Sequence, residues 1–379
     1  MTFIVLLIAF GYPLILLCLA MPALNYQPIT VTRRLNNHPI TFSIIVVYRN
    51  EIDALPTLLK SLSEQDYNPA LLEIILVNDA SIDGSQEFVN EFIKKNLSMH
   101  YIHFDRTPKS VSAKKDGITQ AISRATQEHI LLTDADCVVP KTWISAYSRH
   151  YQSYADASLV AGPVRLNGQG FLAGLQQLEM LALQTITTGA FALRQPFMCN
   201  GANLSFKKKA FEAVQGYLGN DHLSSGDDVF LLEKLAAEDV LQCHYLKNTQ
   251  ALISTSPKNS WKEMIEQRAR WSRKSTETKS LLNKLVAFHV ATASLLFVFA
   301  PLLYVFHLIS IELMWSFYFL KFFTDFVVLV IGNQLYQVSS WMRYFILQFF
   351  MYPFIVIAIG LKSLGSIKWQ DRSIDRPSH

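Results

Sequence analysis

A chain of 379 residues, half hydrophobic and only 17% charged, has room for one sizeable water-facing domain and more apolar residues than such a domain needs, which disfavours a purely soluble protein. The net charge of +4 comes from 34 basic and 30 acidic residues with no long basic run, so nucleic acid has no electrostatic footprint here and no nucleic-acid partner is expected, while an anionic membrane surface suits the excess. Cys18, Cys137, Cys199 and Cys243 lack both the paired spacing of a zinc site and the density of a disulfide framework, so reduced thiols in a cytoplasmic compartment are expected.

Residues 3–24 are uncharged and almost wholly apolar, long enough to cross a bilayer as a helix. A cleaved signal peptide would carry basic residues ahead of its apolar core, and none precede this one. Arg33 and Arg34 follow it, so the positive-inside rule puts the next domain in the cytoplasm.

From about residue 40 to 258 short β-rich runs alternate with amphipathic segments. Strands are predicted at 42–47, 73–77, 100–104 and 129–132, each followed by a polar turn and helical periodicity. The alternation implies βαβ units and a mainly parallel sheet, an α/β fold class. Ligands of such sheets sit beyond the carboxyl ends of the strands, where three polar clusters fall, at 48–51, 78–85 and 133–137. One cleft would collect all three.

Residues 171–194 are apolar but interrupted by Gln176, Gln177, Glu179 and Gln184, which predicts an interfacial or buried helix rather than a spanning one. Segments 285–309, 313–332 and 344–361 have spanning length. The middle one holds Lys321 and Asp325, four apart on one helical face, where mutual pairing would offset the cost of burying either charge; an ion pathway is the sharper alternative. Four spanning helices from an outside N-terminus would leave Lys368, Arg372 and Arg376 outside, against the positive-inside rule, so one segment is expected to lie in the interface or re-enter.

Four motifs bear on chemistry. Asp79, just past a strand and followed by turn residues through Ser85, is placed to accept the imino N–H of a uracil ring, although Asx turns after strands are common. Asp134-Ala135-Asp136 puts two carboxylates at a strand end, the hard oxygen provision that Mg2+ or Mn2+ takes when it also binds substrate phosphates. Gly226-Asp227-Asp228 opens an apolar helix; capping by Ser224, Ser225 or Asp227 explains one acid better than two, and the functional alternative makes Asp228 a general base. Gln267-Arg268-Ala269-Arg270-Trp271 offers an amide, a phosphate-binding fork and an indole surface within about one helical turn, beside the bland reading of juxtamembrane basic residues meeting lipid head groups.

Together with Tyr48-Arg49-Asn50-Glu51 and the run from Asn200 to Phe206, these motifs occur in an order that resembles family 2 glycosyltransferases over about residues 40–275, and the membrane segments are similar to those of the cellulose, chitin and hyaluronan synthase branch. The resemblance implies a GT-A domain, with a Rossmann-like mixed sheet, at 40–275; a transmembrane helix at 1–24 precedes it, and a transmembrane region at 285–362 and a basic tail at 363–379 follow. It implies an inverting, metal-dependent transfer from a nucleotide-diphosphate sugar, expected to be a uridine diphosphate sugar, to a lipid-linked or glycan acceptor at the inner membrane. Tyr48, Glu51, Asp79, Lys114, Lys115 and Asp134 would bind the nucleotide-sugar, with Lys114-Lys115-Asp116-Gly117 departing from the usual glycine-lysine form. Asp134 and Asp136 would hold Mg2+ or Mn2+, Asp228 would be the base, and Asp227, Gln267, Arg270 and Trp271 would bind diphosphate and acceptor. Three C-terminal segments favour single or short-chain addition, while the Gln-x-x-Arg-Trp motif favours a processive polysaccharide synthase. A reading of another class is a membrane transport or scaffold protein whose soluble domain only binds nucleotide, with Lys321 and Asp325 as its support.

Overall fold

The structure, a computed structural model, describes residues 2–28, 39–220, 223, 225–338, 341–365, 367–369 and 372–374. Arg33, Arg34, Ser224 and Arg376 lie outside the described residues. The chain divides into two compact units, one made of Gln27–Arg165 and Pro196–Ser256, the other of Met1–Tyr26, Leu166–Gln195 and Pro257–His379.

In chain order the elements are α1 (Thr2–Leu24), β1 (Phe42–Tyr48), α2 (Leu55–Ser63), β2 (Leu72–Asn78), α3 (Ser85–Lys95), β3 (His100–Asp105), α4 (Ala113–Arg124), β4 (His129–Leu132), β5 (Cys137–Val138) and α5 (Trp143–Ser153). There follow β6 (Leu159–Ala161), β7 (Val164–Leu166), α6 (Phe171–Ala192), β8 (Leu204–Lys207), α7 (Lys208–Ala213), α8 (Asp227–Asp239), β9 (Cys243–Tyr245) and β10 (Ile253–Thr255). The last are α9 (Trp261–Glu277), α10 (Leu281–Val305), α11 (Ile311–Tyr336), α12 (Trp341–Leu364), β11 (Ile367–Trp369) and β12 (Arg372–Ile374).

The first unit is α/β. Its described strands form a seven-stranded sheet in the order β3-β2-β1-β4-β8-β6-β9 and a small sheet β5-β10-β7. β1 and β2 are nearly continuous runs of large apolar residues because helices cover both faces of the sheet, as parallel strands require. On α2, Leu55, Leu58, Leu59 and Leu62 follow the helical period and are all buried, which pins that helix to the sheet. β1, β2, β3 and β4 pair in parallel as expected, but β8 runs antiparallel to β4 and β6, so the sheet is mixed. The register sets Tyr48 opposite Asn78 and Asn78 opposite Asp105, while Leu132 pairs with Ile45. The polar clusters beyond β1, β2 and β4 therefore leave the sheet at the same edge.

The second unit is helical. α1 packs on α6, α10 and α11, and α12 packs on α6, α9 and α10. At Gly189 on α6 any Cβ would collide with the Leu19 carbonyl of α1, so glycine is what permits this close crossing. Thr2–Leu24, Leu281–Val305, Ile311–Tyr336 and Met342–Leu364 are, among the described residues, long and apolar enough to cross a membrane. α6 is not one of these and is buried along most of its length, in accord with the buried alternative. Its polar interruptions are contacts to the segment entering α9: the Gln176 amide donates to the Lys258 carbonyl and accepts from the Lys258 N–H, both at 2.9 Å, and Glu179 meets Arg268 at 2.9 Å. The contiguous domain expected at 40–275 is thus interrupted, because α6 and α9 pack with the membrane-type helices. Within the expected basic tail, Lys368 and Arg372 sit on the antiparallel β11–β12 pair.

Candidate active site

The turns after β1 and β2 are stitched together. Asn50 and Ala80 both have left-handed backbones, with φ of 51° and 53°, which lets each strand end turn sharply. The Ile82 N–H donates to the Asn50 side chain at 2.9 Å, the Glu51 N–H to the Ser85 hydroxyl at 2.9 Å, and the Ile52 N–H to Asp83 at 3.0 Å. Glu51 is half-buried in this turn. Asp79 is buried and braced: Arg106 Nε meets its carboxylate at 2.6 Å, and Arg49 donates to its carbonyl at 3.0 Å. Arg106 also bonds Asp116 at 3.1 Å and so ties β2 to α4. This arginine was not among the predicted site residues; its only signal is a lone basic residue directly after β3. The expectation for Tyr48 needs correction, since its side chain is buried with its hydroxyl 2.8 Å from His103 Nε2 and its ring stacked on that imidazole. β1's alternation points it into the core, leaving its carbonyl to accept from the Asp79 N–H at 2.8 Å.

Beyond β4 the structure gathers Lys114, Asp134, Asp227 and Asp228. Lys114, in the first turn of α4, places its ammonium 2.7 Å from Asp134 and 3.1 Å from Asp227. Burial pulls this ammonium's pKa down, but Asp134 and Asp227 prevail and hold it well above the ordinary lysine range. Lys115 is the second correction. The helix turns it the other way, where it is 2% exposed, donates to the carbonyls of Asn220 at 2.7 Å and Leu223 at 2.9 Å, and lies over the Phe230 ring. It braces the segment leading into α8 instead of facing the acids.

Asp227 and Asp228 form the first turn of α8, where the helix dipole favours negative charge. The cap residue is Gly226, with φ of 84° and no side-chain cap bond, so capping does not account for the two acids. Asp228 accepts from the Gly201 N–H at 3.2 Å and the Val229 N–H at 2.8 Å. A Cβ on Gly201 would lie 2.8 Å from Asp227 Oδ2 and 3.4 Å from Lys114 Nζ, so a larger residue here would displace the cluster's side chains. Asn203 holds that segment in place: it accepts from Trp143 Nε1 at 2.9 Å and the Tyr147 hydroxyl at 2.8 Å, and donates to the Pro163 and Ala251 carbonyls at 2.7 and 2.8 Å. All its hydrogen-bonding capacity is thereby used.

Asp134 and Asp136 are half-buried at the edge of this cluster. Among the described residues no group of three or more His, Cys, Asp or Glu side chains is arranged to hold a metal by itself. The carboxylate oxygens of Asp134 and Asp136 are the hard donors that Mg2+ or Mn2+ takes where substrate phosphates complete the shell.

Gln267, Arg270 and Trp271 lie on α9 of the helical unit. Burial lowers the Arg270 guanidinium to about 10 against the opposing pull of Glu266. Arg268, which the sequence reading passed over, is the most buried charge of this motif: it pairs with Glu179, bonds the Gln267 side chain and lies 4.5 Å over the Trp271 ring.

Comparison with known proteins finds relatives for this geometry. Residues 43–215 match the model described as Glycosyl transferase family 2. A probable glycosyltransferase of Sulfolobus acidocaldarius is 25% identical over 186 residues, 48% of this chain and 39% of that protein. A poly-beta-1,6-N-acetyl-D-glucosamine synthase of Staphylococcus epidermidis is 25% identical over 195 residues, 51% of this chain and 45% of that protein. The chain thus spans less than half the length of these curated relatives. Among solved structures, the mannosyltransferase PcManGT of Pyrobaculum calidifontis, in complex with GDP-Man and Mn2+, shares the fold with a TM-score of 0.61 at 16% identity, covering 96% of this chain and 97% of that one. The mixed sheet, the acids beyond its strand ends and the match over residues 43–215 agree: that stretch is similar to glycosyl transferase family 2 and the fold is of the GT-A kind.

Proposed function

We propose that this protein is a membrane-anchored glycosyltransferase that moves a sugar from a nucleoside-diphosphate donor to a lipid-linked or glycan acceptor. The observation that carries the reading is the convergence of Asp134 and Lys114, inside the stretch similar to family 2, with Asp227 and Asp228 just beyond it. The acceptor hydroxyl attacks the anomeric carbon as the bond to the diphosphate breaks, and Asp228 takes the hydroxyl's proton. A single displacement of this kind inverts the anomeric centre. Asp227, committed to Lys114, is the less suited of the two acids to that role. Mg2+ or Mn2+ held by Asp134 and Asp136 would supply positive charge to the departing diphosphate. Asp79, Glu51 and Lys114 serve the nucleotide-sugar, and Gln267, Arg270 and Trp271 serve the diphosphate and acceptor.

Four apolar helices support multi-pass anchoring, and Arg33 and Arg34 after the first support a cytoplasmic domain at the inner membrane. The GDP-Man complex of the structural relative adds guanosine diphosphate sugars to the uridine diphosphate sugars expected from the sequence as the donors to screen. In detergent with Mn2+, Asp228→Asn should lower transfer by roughly 10²–10⁴-fold while donor binding persists. Near wild-type transfer by Asp228→Asn would remove the base assignment, and inertness of the wild type towards every donor would remove the enzymatic reading. The Staphylococcus relative also favours a second reading, processive synthesis, which product length with labelled donor separates from single addition.

A further inference from the structure

On α9, Arg268 and Ala269 are buried, at 4% and 0% exposure, while Gln267, Arg270 and Trp271 beside them are only half-buried. The helix therefore turns Arg268 inward, towards α6, and leaves the other three side chains partly open. The Arg268 guanidinium is held on three sides. Its Nε donates to Glu179 Oε2 at 2.9 Å, and its Nη2 lies 2.9 Å from the same oxygen. Its Cζ lies over the Trp271 ring, 4.5 Å from the centroid and about one helical turn along α9. Its Nη1 donates to Oε1 of Gln267. Glu179 is itself well placed, because one turn earlier on α6 the Gln176 amide exchanges two hydrogen bonds with the Lys258 main chain at the approach to α9.

Two features go beyond a tie between helices. A single ion pair would join α6 to α9, and a lysine could make it; here the planar fork is used along its edge, on its face and at its third nitrogen. The second feature is chemical direction. A guanidinium only donates, so the atom of Gln267 that meets it must be the carbonyl oxygen, and the amide NH2 is the end left to face a ligand. Ionised phosphate oxygens only accept, so a fixed NH2 is what they require, whereas an untethered glutamine amide also presents its oxygen to them. We propose that Arg268 is a positioning residue: held by Glu179 and Trp271, it fixes the Gln267 amide so that its NH2 donates to a phosphate oxygen of the nucleotide-sugar. The inference rests on the glycosyltransferase reading above, in which Gln267 is among the residues serving the diphosphate and acceptor. Arg268 touches no ligand; its effect passes through Gln267.

Arg268→Lys keeps the charge that meets Glu179 and loses the fork's third arm and its flat face. In detergent with Mn2+ and the best donor found among UDP- and GDP-sugars, it should lower kcat/KM about 10- to 100-fold, the cost of misplacing one positioned group, with a thermal midpoint near the wild-type value. The same substitution in a Gln267→Ala background should lower kcat/KM by less than about twofold further, since residues that act through one another do not add. Should Arg268→Lys fail to fold, Arg268→Met with Glu179→Leu removes both charges together, an exchange that buried pairs often tolerate, and is compared with and without Gln267→Ala in the same way. Equal fold losses with and without Gln267 would overturn the proposal, because Arg268 would then act as a general support of α9. Wild-type kcat/KM in a folded Arg268→Lys would overturn it as well. A wild type that turned over no sugar donor would remove the functional reading and the proposal with it, whereas those two results would remove the proposal alone.

Discussion

In the helical unit Lys321 is 2% exposed and meets Asp325 at 2.6 Å, Asp325 also accepts from the Tyr12 hydroxyl at 2.6 Å, and the rings of Tyr12, Phe297 and Phe349 surround the ammonium at 5.3, 5.7 and 5.2 Å. In the α/β unit Lys114 faces both Asp134 and Asp227 with Asp228 close by, and its side chain keeps 26% exposure against 38% for Asp134. One arrangement matches a single charge of each sign and closes around it. The other gathers more acid than base where the end of β4 meets the first turn of α8, and its excess negative charge suits a bound cation and the phosphates that accompany it. Buried charge alone therefore does not mark a functional site in this protein; imbalance and access do. The Lys321–Asp325 pair is accounted for as a tie between α11 and α1, which leaves the ion-pathway alternative without a distinctive observation.

The comparison breaks if the closed pair proves dispensable. Lys321→Met strands Asp325 and should cost about 3–5 kcal/mol of stability, read by unfolding of the detergent-solubilised protein, while Lys321→Met with Asp325→Leu should recover most of that loss. Equal losses in the single and double variants would contradict a balanced pair. At the open cluster the effect should fall on activity instead. Lys114→Met should lower kcat/KM on the order of tenfold to hundredfold, less than the loss of a dedicated transition-state donor, with a smaller change in thermal midpoint than Lys321→Met produces. Because the Lys114 pKa is held above its unfolded value of about 10.4, its charge contribution is complete below that pH and is lost only as pH rises through the still higher folded value. A wild-type pH-rate profile up to pH 9.5 should accordingly carry no alkaline limb that disappears in Lys114→Met.

Much of this contrast is legible in the residues, and what is not has a physical reason. β1 to β4 stand out because each is a run of apolar or β-branched residues bounded by turn chemistry. β6, β8 and β9 are three or four residues long and depend on partners far along the chain, so no local period announces them. The acids of the cluster were visible as Asp134, Asp227 and Asp228, but Lys114 and Lys115 are chemically alike neighbours. Only the helix phase against the sheet sends one to the acids and the other to the Asn220 and Leu223 carbonyls. Arg106 carries no motif at all. Its role comes from pairing across 27 residues with Asp79. Glu179 read as a polar interruption because its partner, Arg268, lies 89 residues away.

A smaller effect separates the units by acid instead of by mutation. In the α/β unit His150 and His244 form a buried pair at 3.0 Å: the network has His150 Nε2–H donating to His244 Nδ1, and His244 Nε2–H donating to the Leu241 carbonyl at 2.9 Å. This arrangement requires His244 neutral, since its Nδ1 accepts, and a charge on His150 would be buried beside it. Burial, and then the repulsion of His244, pull His150 down to about 3; burial likewise lowers His244, with the Leu241 carbonyl opposing. Both imidazoles titrate near 6.5 once unfolded, so their contribution is complete above about pH 6.5 and is lost as pH falls below it, for His150 down towards 3, because the unfolded chain binds protons that the folded pair refuses. The loss should run at up to about 1.4 kcal/mol per pH unit for each imidazole, roughly 2 kcal/mol from His150 by pH 5. Thermal unfolding at pH 7.5, 6 and 5 should show the midpoint dropping below pH 6.5, and His150→Gln, which retains a donor towards His244, should flatten that drop by about half. An unaltered pH dependence in His150→Gln would mean that the acid sensitivity resides elsewhere and that the buried imidazoles do not set it.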